Sequence, residues 1–176
     1  VRTMLYHQGM AECDIPHQYG TIYVTDGVFG YVTDRHQALS TLDRFLHHLA
    51  PGGQLLIELD LPPADDEAAS NCPERYGPSP RPEADGEIFM TLWGPTVDRL
   101  EQIWQNKRRY ELYVNGKLVR SEVHASRGRW YSHYEFIMML ERTGFEDITT
   151  YSDCTDQPAT KDSRSIVYGA RRPRRP

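Results

Sequence analysis

GTIYVTDGVFGYVTDRHQALSTLDRFLHHLAPGGQLLIEL, residues Gly20 to Leu59, decides how the rest of the chain is read. Gly20–Thr25 is rich in β-branched and aromatic residues, the composition of a strand, and Asp26-Gly27 ends it as a turn. From Asp34 the period changes: Ala38, Leu39, Leu42, Phe45, Leu46 and Leu49 recur at three- and four-residue steps, an amphipathic helix. Asp34 is an N-cap residue and Gln37 stands three positions on, the spacing of a capping box. Ala50-Pro51-Gly52-Gly53 stops the helix, and Gln54–Leu59 is an almost unbroken apolar run, as a strand covered on both faces requires. Strand, helix, tight turn and strand make a βαβ unit, which the crossover rule makes parallel and right-handed.

Upstream, Arg2–His7 reads as a short, partly apolar strand. Downstream, Leu61–Asp85 carries Pro62, Pro63, Pro73, Pro78, Pro80 and Pro82 among acidic and small residues, which predicts a loop. Glu87–Trp93 reads as a strand, Asp98–Val114 contains alternating stretches, and Asn115-Gly116 signals a hairpin with Lys117–Val123 returning. A three-stranded antiparallel meander inserted into an α/β body is expected. The α/β pattern resumes with Ser132 and Glu135 at capping-box spacing, Phe136, Met139 and Leu140 on one face, and Gly144 as the stop. Glu146–Tyr151 and Ser165–Ala170 close the sheet. The expected organisation is an α/β core over 1–60 and 124–171, a proline-rich loop over 61–86, the meander over 87–123 and a basic tail over 172–176.

The chain has 176 residues, 39% of them hydrophobic, and a formal net charge of −5, which fits one globular body and gives no sign of nucleic-acid binding. The arginines of the last six residues read as a solvated terminus. The three cysteines, Cys13, Cys72 and Cys154, form no C-x-x-C pair, so neither a disulfide framework nor a zinc site is expected. No apolar run approaches the ~20 residues of a membrane span, and a reducing, cytoplasmic setting follows.

These segments, in this order, resemble the C-terminal two-thirds of a class I S-adenosylmethionine-dependent methyltransferase. Leu49-Ala50-Pro51-Gly52-Gly53 before an apolar strand is the most specific piece, joined by WYSHYEFIMMLERTGFEDITTY and by SRSIVYGARRP as the final antiparallel strand. The resemblance implies a Rossmann-like sheet and S-adenosylmethionine as cofactor. It also implies a small-molecule methyl acceptor; the net charge of −5 and the lack of a long apolar run give neither nucleic acid nor membrane as partner. The alternative is a non-catalytic methyltransferase-like binding or dimerisation module.

The resemblance also implies site residues. Gln8–Pro16 corresponds to the loop after the family's third strand, where an Asp-Met pair meets adenine; here Gly9 stands at the Asp position, while Met10 keeps its backbone N–H and Glu12 could replace the carboxylate. Thr25, Asp26, Gly27 and Phe29 follow the fourth strand, at the edge where open α/β sheets bind ligands, and correspond to the stretch beneath the cofactor. Tyr31, Glu58, Trp130 and Tyr131 are expected on the acceptor side, with Trp93 and Trp104 either at that pocket or packing the meander. Methyl transfer from a sulfonium needs alignment more than acid–base help, so no base is singled out among His124, His133, Tyr131 and Glu58.

The family's glycine-rich turn after the first strand and the acidic residue ending the second have no counterpart in this sequence. Without those strands, the GTIYVT strand has an unpaired apolar edge, and three outcomes are expected: the chain is a truncated piece of a longer enzyme, the third strand pairs with that edge, or a second chain does. A homo-oligomer through that edge, and poor cofactor binding by this chain alone, are the expectations.

Overall fold

The computed structural model describes residues 3–61, 73–80 and 86–174. Cys72, the first two residues and the last two of the basic tail lie outside that range, as does most of the expected loop over 61–86. The chain divides into two compact units, one of residues 1–62 with 129–176 and one of 63–128.

The first unit holds a four-stranded sheet in the order β1-β2-β8-β7. Its strands are β1 (Tyr19–Val24), β2 (Leu49–Asp60), β7 (Glu146–Ser152) and β8 (Ser165–Arg171). β1 runs parallel to β2, while β8 is antiparallel to both β2 and β7. The connection from β1 to β2 contains α1 (Arg35–His48), started by Asp34, whose Oδ1 accepts the Gln37 N–H at 2.8 Å. α2 (His133–Thr143) precedes β7; it opens with a complete Ser132–Glu135 capping box and closes on Gly144 at φ 100. Both boundaries follow the sequence.

Period-two burial along β2 sorts the sheet into two faces. Leu55, Ile57 and Leu59 are buried and pair across the strands with Ala170, Tyr168 and Ile166. Ala38, Leu42 and Phe45 of α1 join Phe136 and Leu140 of α2 over that face in one apolar cluster. The opposite face carries Tyr23, Leu56, Glu58, Val167 and Tyr151, and both α-helices of the described residues lie on the other side. Tyr23 is accordingly 71% exposed.

Several expectations change. Residues 3–9 form no strand, so the supposed third strand pairs with nothing among the described residues. A short 3-10 turn, Met10–Glu12, follows instead. The Pro-Gly-Gly turn does not separate helix from strand but is a bulge inside β2: Tyr19 faces Leu49 and Thr21 already faces Gln54. Gly53 is needed there, because a Cβ would lie 2.8 Å from the Ala50 carbonyl oxygen and 3.1 Å from those of Tyr19 and Gly20. Nor does the basic segment fray at its start. The Arg172 backbone exchanges hydrogen bonds with Gly52 and Gly53, and its guanidinium donates to the carbonyls of His47 and Leu49 at the end of α1. Cationic donors at a helix C-terminus satisfy orphan carbonyls and oppose the helix dipole.

The second unit is a four-stranded antiparallel sheet, not three-stranded, in the order β3-β4-β5-β6. β4 (Glu87–Asp98) and β6 (Lys117–Arg129) are longer than the expected strands, β5 (Ile103–Val114) is shorter than the stretch expected from Asp98, and β3 (Glu74–Pro80) arises within the stretch expected to be loop. Asn115 and Gly116 turn β5 into β6 with φ 51 and 74, as a type I′ hairpin requires. Arg75 and Arg109 flank the buried Glu111 and lie over the Phe89 and Trp93 rings.

Candidate functional site

β1 ends at the C-terminal edge of its sheet in a turn through Asp26 and Gly27, both with left-handed backbone (φ 56 and 62), closed by Val28 N–H donating to the Thr25 carbonyl at 3.2 Å. Gly27 leaves room for Asp60: a Cβ at Gly27 would stand 2.5 Å from Asp60 Oδ2. Beside this turn, a cavity of about 480 Å³ opens on the sheet face opposite the helices of the described residues. Thr25, Leu56, Glu58, Tyr151, Cys154 and Asp156 are among its walls.

Glu58 is the polar centre of that wall. Its Oε2 accepts the Asp26 N–H at 3.0 Å and its Oε1 accepts the Ser165 hydroxyl at 2.8 Å. Burial pushes its pKa up, but the bonds from Asp26, Ser165 and the Cys154 thiol prevail and hold it below the usual carboxylate range. Asp60 goes the other way, raised by burial and then by the negative charges of Glu58 and Asp26. The Cys154 thiol is raised by its hydrogen bond to Glu58.

The residues expected from sequence separate into two groups. Thr25, Asp26, Gly27 and Glu58 come together at the sheet edge. Tyr31 is close by in sequence and exposed, ending a 3-10 turn, Val28–Tyr31. Phe29 is different: it is 0% exposed, with the rings of Tyr131 and Phe136 at 5.6 and 5.4 Å, so it packs the core. Tyr131 is likewise buried, its hydroxyl donating to the Val32 carbonyl at 2.9 Å, and burial raises its pKa far above the ordinary phenol range. That phenol holds its proton and is placed as a core residue rather than a base. Trp130 is also buried. Gly9 is exposed at the start of the Met10–Glu12 turn, and Met10 packs partly against the α1 side of the core.

The other base candidates have structural partners. His133 Nδ1 lies 3.2 Å from the Tyr168 hydroxyl, and His124 Nε2 lies 3.5 Å from Glu122 in the second unit. In that unit Trp104 lies against Gly128, where a Cβ would be 2.2 Å from its ring, and Trp93 lies under the Arg109 guanidinium. Asp60, Ser165, Cys154 and Tyr151 were not anticipated. Asp60 had a signal, since alternation along Gln54, Leu56, Glu58 and Asp60 puts it on Glu58's face. Ser165 and Cys154 had none, because their partner is about a hundred residues away in sequence.

No protein-family model matches the sequence, and no curated protein matches it. Solved structures do. A methyltransferase dependent on S-adenosylmethionine from Clostridium acetobutylicum superposes over 98% of this chain and 66% of its own length, with a TM-score of 0.80 at 12% identity. An amino pentose methyltransferase from Micromonospora echinaspora covers 94% of the chain and 63% of itself, with a TM-score of 0.68 at 13% identity. A sugar N-methyltransferase from Streptoalloteichus gives 0.67 at 14% identity, over 94% of the chain and 61% of itself. The chain therefore has the fold of class I S-adenosylmethionine-dependent methyltransferases, and it spans just under two-thirds of the length of these structures.

Proposed function

We propose that the chain is part of an S-adenosylmethionine-dependent methyltransferase that acts on a small molecule. The superposition onto a solved methyltransferase over 98% of the chain carries this reading. Two further similar structures are a sugar N-methyltransferase and an amino pentose methyltransferase, which supports a compact, polar acceptor.

The residues present fit one side of the cofactor. The left-handed Asp26-Gly27 turn opens backbone at the ligand-binding edge beside Thr25, with no side chain on Gly27 to block approach. Thr25, Asp26 and Gly27 would lie along the cofactor, with Met10 offering backbone N–H. Gly9 brings no carboxylate, and no glycine-rich turn or ribose-binding acid accompanies these residues. When bound, S-adenosylmethionine supplies a methyl group already activated on sulfur. The chain's own task is then to fix the edge loop, to present Tyr31 and the cavity wall toward an acceptor, and to exclude water. The activity is accordingly proposed for a protein that also supplies the glycine-rich loop, with weak cofactor binding by this chain alone.

Titration calorimetry with S-adenosylhomocysteine tests this. Binding by the chain, or by a form extended upstream, supports the reading. Absence of binding by both would sink it in favour of a non-catalytic module that keeps the fold.

Two finer proposals accompany it. A homo-oligomer forms through β1, whose outer edge pairs with no strand among the described residues. The setting is cytoplasmic, supported by Cys13 and Cys154 standing as free thiols. No helix among the described residues is long and apolar enough to cross a membrane.

A further inference from the structure

Both oxygens of Glu58 are engaged, and the donors come from different parts of the chain. The Asp26 N–H at 3.0 Å belongs to the turn after β1, and the Ser165 hydroxyl at 2.8 Å to the first residue of β8. The Cys154 thiol, from the loop between β7 and β8, donates to the same carboxylate. That loop is itself pinned to the start of β8: Asp153 Oδ1 accepts the N–H groups of Arg164 at 2.8 Å and Ser165 at 2.9 Å. Asp60, two residues beyond Glu58 on the same strand face, fills the space over Gly27. The turn at the ligand edge is thus gripped from β2, and through Glu58 from β8.

We infer that Glu58 is a positioning residue, which fixes the Asp26-Gly27 turn by tying its backbone to Ser165 and so takes no proton from an acceptor. Only the naming of that turn as the cofactor side rests on the methyltransferase reading; the tie itself does not. A carboxylate that accepts several hydrogen bonds is stabilised in its ionised form and is a weak base. The ionisable groups around it are Asp26 on the turn, Asp60 on β2, and Asp153 and Cys154 on the β7–β8 loop. All are acidic, so no neighbouring cation among the described residues accounts for Glu58 remaining charged, and its donors do.

The test uses Glu58→Gln, isosteric and neutral, and Glu58→Ala. Two quantities are read on the whole chain: amide hydrogen exchange at Asp26, and the pH profile of Cys154 alkylation by iodoacetamide, resolved by peptide mass spectrometry. In Glu58→Ala the Asp26 amide exchanges about tenfold faster or more, as loss of a bond to a charged acceptor implies. In both variants the midpoint of Cys154 alkylation moves to lower pH while Cys13 keeps its wild-type profile. A Cys154 midpoint unmoved in Glu58→Gln overturns the inference, as does wild-type Asp26 exchange in a folded Glu58→Ala. If Glu58→Ala does not fold, Glu58→Gln decides alone. Neither readout involves a cofactor. A chain that answers this way yet fails the S-adenosylhomocysteine test keeps the tie and loses the methyltransferase reading; the converse result removes the tie alone.

Discussion

Single residues at the ligand edge are held by backbone geometry as much as by side chains. Gly27 has φ 62 and would press a Cβ to 2.5 Å from Asp60 Oδ2. Gly27→Ala therefore meets both a left-handed backbone penalty and a displaced carboxylate, and is expected to destabilise the first unit by about 1–3 kcal/mol in urea unfolding. A second expectation concerns pH. Tyr168 is buried and its phenol is pushed up to about 12, while Tyr131 is raised further still, both mainly by burial. An unfolded tyrosine titrates near about 10. Above that pH the unfolded chain loses protons that the folded chain retains, so stability is intact below about pH 10 and falls as pH rises toward about 12. Phenolate absorbance should show exposed tyrosines titrating first, with the buried pair appearing only as the fold is lost. Simultaneous titration of all tyrosines in a folded protein would contradict this. The turn at Asp26-Gly27 was legible because its signal is local. Phe29 and Tyr131 lie in the core, which the sequence does not tell, because an aromatic near a loop looks alike whether its ring turns toward a ligand or into the core.

Elements were more legible than single side chains, because caps and periodicity are written within a few residues. Ser132 and Glu135 form the capping box their spacing implied, and Asp34 caps α1 at the expected residue. Ser132→Ala and Asp34→Ala should each cost about 1 kcal/mol in chemical denaturation, with Asp34→Asn close to wild type, since asparagine caps nearly as well. Asp34 is exposed, and its carboxyl is lowered chiefly by the Gln37 backbone hydrogen bond. Its contribution should therefore be present at neutral pH and be lost as pH falls through that depressed value. Strand limits were harder. The Pro-Gly-Gly segment stops a helix in any local reading, yet here it continues β2 as a bulge, because Tyr19 and Thr21 of β1 pair on either side of it. β3 escaped notice because its Pro78 and Pro80 argue against a strand, whereas an edge strand tolerates proline where no ladder donor is needed. Arg172 is the same kind of case, since no local feature says that a chain-end arginine will reach the last carbonyls of α1.

At the scale of the molecule, the helices among the described residues cover one face of the first unit's sheet. α1 and α2 bury Leu55, Ile57, Tyr168 and Ala170, while the reverse face leaves Tyr23 71% exposed beside Leu56 and Val167. β1 combines that face, opposite the described helices, with an edge unpaired among the described residues. An apolar surface and a row of free backbone groups on one strand favour association, by edge pairing and by burial together. Light scattering on the purified chain is therefore expected to give a dimer or larger species. Tyr23→Lys should shift it toward monomer, because a lysine on an edge strand opposes pairing and removes an aromatic from the shared face. Val119→Lys serves as the control: Val119 is also an exposed apolar strand residue, but it lies in β6 of the other unit and should leave the mass unchanged. A wild-type chain that is monomeric at every concentration would end the proposal of association through β1. A mass that responds to Val119→Lys and not to Tyr23→Lys would move the interface to the second unit.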